Sequence, residues 1–139
     1  MRTGTTLVEL AIVLSLVAIV LAIGLPRWRA YLDRTAVTVA ANRAAATLDE
    51  ARQSAIRSGA PATVRVDERR GSLTVTAGGD TLATLPLGTL HSVTLRASRD
   101  SITFAPTGFG YGAANTQLVI VRRSAAETVS VSRLGRVRR

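Results

Sequence analysis

The chain has no cysteine, no lysine and a single histidine, His91. Without thiols it has no disulfide scaffold, iron–sulfur cluster, thiolate zinc site or thiol nucleophile. One histidine alone cannot build a histidine-rich metal site. Aromatic residues are scarce at 4%, and charged residues make up 19%. Apolar residues nevertheless account for 47% of the 139 positions, which excludes a disordered acidic or low-complexity chain. Acids are also few. The formal net charge is +9, and all 18 cationic side chains are arginine. Guanidinium forks match phosphate and carboxylate better than ammonium groups do.

The apolar residues are unevenly placed. Leu10 to Leu25 carries no charge at all. As a helix, Thr5 to Pro26 would extend about 33 Å at about 1.5 Å per residue, enough for a hydrocarbon core of about 30 Å. A secretory signal peptide is the competing reading, but the run is long for one and no A-x-A site comes after it. The run gives way instead to Arg27-Trp28-Arg29, a cationic and aromatic border of the kind found at a membrane surface. Glu9 stands at the head of the run, where an ionised carboxylate is costly to bury. It is either solvated at the membrane surface or paired, and a free α-amino group would be a suitable partner.

Residues 27–58 contain no glycine or proline and read as a second, amphipathic stretch of helix. Ala41, Ala45, Leu48, Ala51 and Ala55 recur at helical spacing, as do Trp28, Leu32, Ala36 and Val39. Gly59-Ala-Pro61 ends the pattern. If Pro26 only bends the chain, residues 5–58 form a single helix about 80 Å long, more than a 139-residue globule can bury. Its amino-terminal half then lies in a membrane or against other copies. From residue 62 the period becomes two. There are about seven short strands rich in Thr, Val and Ser, with Val64/Val66, Leu73/Val75, Val93/Leu95, Ile102/Phe104 and Val129/Val131 facing a common core. The fold class is α+β: a long amino-terminal spine helix whose alanine face covers antiparallel β-sheet.

Gly4-Thr-Thr-Leu-Val-Glu9-Leu10, followed by the uncharged span and Pro26, resembles the class III leader of type IV pilins and pseudopilins. The resemblance implies that a membrane prepilin peptidase cuts between Gly4 and Thr5 and N-methylates Thr5. It makes Glu9 the fifth residue of the mature chain, and Pro26 the helix-bending proline. Thr5 departs from the phenylalanine or methionine usual there. In a filament, Glu9 of one subunit would neutralise the terminal ammonium of its neighbour and so specify axial register, because an unpaired buried charge costs several kcal/mol. Phe104-Ala-Pro-Thr-Gly108 and the closing Val129-Ser-Val-Ser-Arg-Leu-Gly135-Arg136-Val137 resemble the GspH/FimT branch of that family. The implied organisation is a leader (residues 1–4), a transmembrane or filament-core helix (5–26), an amphipathic helix (27–58), a periplasmic β domain (62–132) and a basic tail (133–139). The implied setting is the bacterial inner membrane, crossed once, with other pseudopilins or minor pilins as partners.

Enzymatic sites fare poorly. Asp67 and Glu68 are neighbours on an extended chain and point to opposite faces, so they cannot share a substrate. Asp49 and Glu50 sit on a charged helix face, and His91 has no partners in a triad frame. Gly108-Phe-Gly-Tyr-Gly112 lacks the Lys-Ser/Thr of a phosphate loop and reads as an inter-strand loop. No enzyme activity, cofactor, metal or small-molecule substrate is expected. Residues 122–139 carry six arginines and one acid. In the FimT branch an arginine-bearing tail binds DNA for natural transformation, and Arg136, Arg138 and Arg139 match it, with Arg133 beside them. The remaining readings of this tail are a solvated end or a subunit contact.

Overall fold

The computed structural model describes residues 6–111 and 115–139. Gly4 and Thr5, the expected cleavage junction, and Gly112 lie outside the described residues. The chain divides into two units, Met1–Leu32 and Asp33–Arg139.

Helix α1 covers Leu7–Ser58 and continues through Pro26 without interruption. The Thr6 hydroxyl opens it by accepting a hydrogen bond from the Glu9 backbone N–H at 3.2 Å. Thr-x-x-Glu is therefore the start of a capping box, which also accounts for an acid in the first turn. In the first unit the apolar side chains from Leu7 to Leu25 are exposed.

Within the second unit, α1 buries Asp33, Val37, Ala40, Ala41, Ala44, Thr47, Leu48, Ala51 and Ala55. The expected stripe through Ala41, Leu48, Ala51 and Ala55 is present. Its expected continuation through Trp28, Leu32, Ala36 and Val39 is not: Trp28, Leu32 and Val39 are exposed, Ala36 is half-buried, and Val37 and Asp33 are buried instead. Periodicity failed there because a carboxylate occupies a buried position.

The strands are β1 (Ala62–Asp67), β2 (Ser72–Ala77), β3 (Asp80–Leu85), β4 (Thr94–Ala97), β5 (Ser101–Phe104), β6 (Gly110–Tyr111), β7 (Thr116–Arg122), β8 (Ala125–Val131) and β9 (Val137–Arg138), with helix α2 (Leu87–His91) between β3 and β4. They form two antiparallel sheets, ordered β3-β2-β1-β5-β6 and β4-β7-β8-β9. All five expected strand pairs of core residues are buried, in one cluster with the alanine face of α1. The small alanine side chains of α1 leave the space between helix and sheets to be filled by Leu48, Ile102, Phe104, Leu118 and Ile120, all buried in one cluster. Leu87 begins α2 and is fully buried.

Candidate functional site

In the first unit, the expected functional residues Glu9 and Pro26 both lie on α1. Glu9 is exposed at the helix start. Its backbone N–H has a partner in Thr6, and no ion pair engages its carboxylate among the described residues. Trp28 and Tyr31 stack obliquely with ring centroids 6.1 Å apart at the end of the apolar span, as a polar–apolar boundary favours.

In the second unit the most constrained charges had no signal in the spacing. Asp33 is 3% exposed, yet it lies on the face of α1 that packs on the sheets. Arg122, at the end of β7, places Nε 2.9 Å from its Oδ1. Arg123, in the turn to β8, donates from Nη1 to Oδ1 at 3.0 Å and Oδ2 at 3.2 Å. A buried carboxylate with two guanidinium groups meets the requirement that buried charge be paired. Arg122 also donates to the His91 carbonyl at 2.8 Å, so one side chain ties α1, β7 and the end of α2 together. The imidazole of His91 is held below its ordinary pKa by burial, and then by the positive charges of Arg43 and Arg122. Its Nε2 is buried and has no hydrogen-bond partner among the described residues. This packing makes it a poor base for a reaction at the surface.

The carboxy-terminal residues do not form a free tail. Val137–Arg138 make β9, pairing with Ser130 and Val131 of β8. Arg139 bonds Asn42 of α1 and places its Nε 2.9 Å from the Glu127 carboxylate. The expectation of a basic tail beyond the last strand is therefore corrected: a two-residue strand is too short for alternation to reveal. Arg133, Arg136 and Arg138 remain exposed, and their guanidinium groups make no ion pair among the described residues. Arg136 and Arg138 line an open groove of about 450 Å³ together with Asn115, Gln117, Ser130 and Leu134.

The two carboxy-terminal motif elements meet. Gly108 and Gly135 both have positive φ, 81° and 71°, and a Cβ on Gly135 would stand 2.1 Å from the Gly108 carbonyl oxygen. That oxygen accepts a hydrogen bond from Arg52 Nε of α1 at 3.0 Å. Gly110 N–H donates to the Arg133 carbonyl at 3.1 Å. Only glycine permits this approach of loop to loop, and Arg52 ties the Gly108 loop to the helix. The loop expectation for residues 108–112 holds in part, since Gly110–Tyr111 are β6.

Asp67 and Glu68 bind backbone N–H groups. Asp67 accepts from Arg70 N–H at 2.9 Å, closing the β1–β2 turn, and Glu68 accepts from Ala97 N–H. Among the described residues no group of three or more His, Asp or Glu side chains could hold a metal.

The sequence matches the family described as type II transport protein GspH over residues 40–135. No curated protein matches it. Among solved structures, the chain is similar to the type IV minor pilin FimU of Pseudomonas aeruginosa, with 18% identity and a TM-score of 0.64 over 78% of this chain and 90% of that one. It is also similar to the minor pseudopilin EpsH from the type 2 secretion system of Vibrio cholerae, with 16% identity and a TM-score of 0.61 over 73% of this chain and 94% of that one. These likenesses show the pilin-type fold, with a long helix on antiparallel sheet.

Proposed function

Because the chain belongs to the GspH family of type II transport proteins, we propose that it is a minor pseudopilin, a structural subunit of a type II secretion pseudopilus or a type IV pilus-like filament. The observation that carries this reading is the exposed, uncharged Leu10–Leu25 surface on the same helix that supports the folded unit. An apolar surface of that extent needs a bilayer before assembly and neighbouring helices after it. The chain enters the bacterial inner membrane as a prepilin with its folded unit in the periplasm. Prepilin peptidase cuts between Gly4 and Thr5 and methylates Thr5. In the filament, Glu9 pairs with the terminal ammonium of a neighbour, and Pro26 lets the helix adjust to the filament core. Replacing Glu9 with Ala tests the register role: the chain is expected to reach the membrane but to be lost from filaments. Unchanged incorporation contradicts that role.

A second reading is DNA binding by Arg133, Arg136 and Arg138. It is favoured by Arg136 and Arg138 along the groove, whose guanidinium groups are in no ion pair among the described residues. Arg139 contributes less, since Glu127 and Asn42 already engage it. Deleting the last residues would remove β9, so point substitutions are the cleaner test. On this reading, R136A/R138A weakens duplex binding by the full chain and lowers the magnitude of its salt slope by about 2. Equal binding by both forms contradicts it.

A further inference from the structure

Three exposed apolar residues lie on backbone segments that meet at the carboxy-terminal turn of α1. Ile56 is 46% exposed, Phe109 53% and Leu134 57%. They arrive from three separate elements. The Ile56 Cδ1 stands 3.0 Å from the position a Cβ on Gly108 would take, so the helix end abuts that loop. Gly110 N–H bonds the Arg133 carbonyl, and Gly108 lies against Gly135. Phe109 and Leu134 are the middle residues of the two backbone segments so joined, and both are exposed. Arg57 follows Ile56 in the chain, Arg133 precedes Leu134 and Arg136 lies two residues beyond it, and all three are exposed. The nearest acids of α1, Asp49 and Glu50, lie about two turns earlier.

We propose that the Ile56–Phe109–Leu134 patch with its arginine rim is the docking face for a different filament subunit, one that presents apolar residues ringed by carboxylates. This proposal rests on the filament reading and specifies the chemistry of one contact within it. Apolar anchors inside a charged rim are the usual composition of a specific protein interface. Charge selects the partner. Two copies meeting through this face would set arginine against arginine, whereas carboxylates accept guanidinium forks in paired hydrogen bonds. Exposed Ile and Leu add nothing to phosphate binding, so the patch favours a protein occupant over the nucleic acid of the second reading, with which it shares Arg133 and Arg136. The patch is assembled from a helix end and two bonded loops, not from the face of an amphipathic helix that could lie in a lipid surface.

The test uses the full chain in the producing bacterium, with a photoreactive phenylalanine analogue at position 109 and a control probe at exposed Leu82 on β3. After irradiation, adducts are mapped in the isolated filament fraction. The expected adduct at position 109 joins a peptide of another filament subunit in which Asp or Glu flanks apolar residues. Its yield falls about tenfold with R133E/R136E, as loss of interface anchors does, and recovers when the mapped carboxylates are changed to Arg. The Leu82 probe gives no such adduct. Adducts to a second copy, to lipid or to nucleic acid overturn the proposal. So does a filament-borne chain with no adduct at position 109, or a yield unchanged by charge reversal. Absence of the chain from the filament fraction is a separate result, which overturns the assembly reading and this proposal with it.

Discussion

The two units of this chain solve the same problem in opposite ways. Asp33–Arg139 encloses its apolar residues: Phe104, Ile120, Leu48 and Val129 are fully buried between helix and sheets. Met1–Leu32 leaves Leu10, Leu14, Val17 and Leu21 exposed along a single helix. The first arrangement is stable by itself, since burial of apolar area drives its folding. The second is complete only in a different solvent or against other molecules. Charge obeys the same division. In the folded unit, buried Asp33 has two arginine partners from the same chain. At the start of the exposed helix, no partner from the described residues engages the Glu9 carboxylate.

The largest effect should come from Gly4→Leu. It leaves the folded unit untouched but blocks leader removal, so the chain accumulates in the membrane at full length and filaments lack it, as immunoblots of the two fractions would record. Next is a paired test, one substitution in each unit. Phe104→Ala should lower the stability of the folded unit by about 3–5 kcal/mol, measured by denaturant unfolding. Leu16→Ala should leave that unfolding midpoint unchanged and affect only assembly. If Leu16→Ala destabilises the folded unit as much, the distinction between the units fails.

Within the folded unit, Arg122→Ala should cost about 3 kcal/mol, because it strips a close partner from a buried carboxylate. Arg123→Ala should cost less than about 1 kcal/mol, since its side chain is 69% exposed. Equal costs would remove the ranking by burial. Gly135→Ala should cost about 2 kcal/mol or more, because an alanine at positive φ must also displace the Gly108 carbonyl. The smallest effect concerns His91. Its folded pKa is depressed, so the unfolded chain binds the proton more tightly. Stability is therefore fully present above about pH 6.5 and declines as pH falls through the folded value. A His91→Gln chain should lose that part of the pH dependence in thermal melts.

Much of this was legible in the residues, for identifiable reasons. The uncharged span, the alanine stripe and the alternating Thr/Val strands repeat often enough for periodicity to rise above noise. Glycine at 108 and 135 marked the carboxy-terminal elements, although nothing in their spacing said that they touch. Asp33 was not legible because a carboxylate at a buried position contradicts the pattern that marks buried positions, and its partners lie some 90 residues away. β6 and β9 were not legible because two residues cannot show a period. The division of strands into two sheets depends on which edges pair, and alternation does not encode that. Thr6-x-x-Glu9 is a capping signature in plain sight, yet in an apolar span the cost of burying the glutamate is the more conspicuous feature. On the proposed reading Glu9 has both roles: its backbone N–H helps start the helix, and its carboxylate would be left for a neighbour.

On the proposed reading the exposed helix is processed and assembled. Intact-mass and amino-terminal peptide mass spectrometry of the chain from the filament fraction tests it most directly. The expected chain begins at Thr5 and carries an N-methyl group. A chain that keeps Met1 in cells with active prepilin peptidase, and stays in the membrane fraction alone, would contradict it.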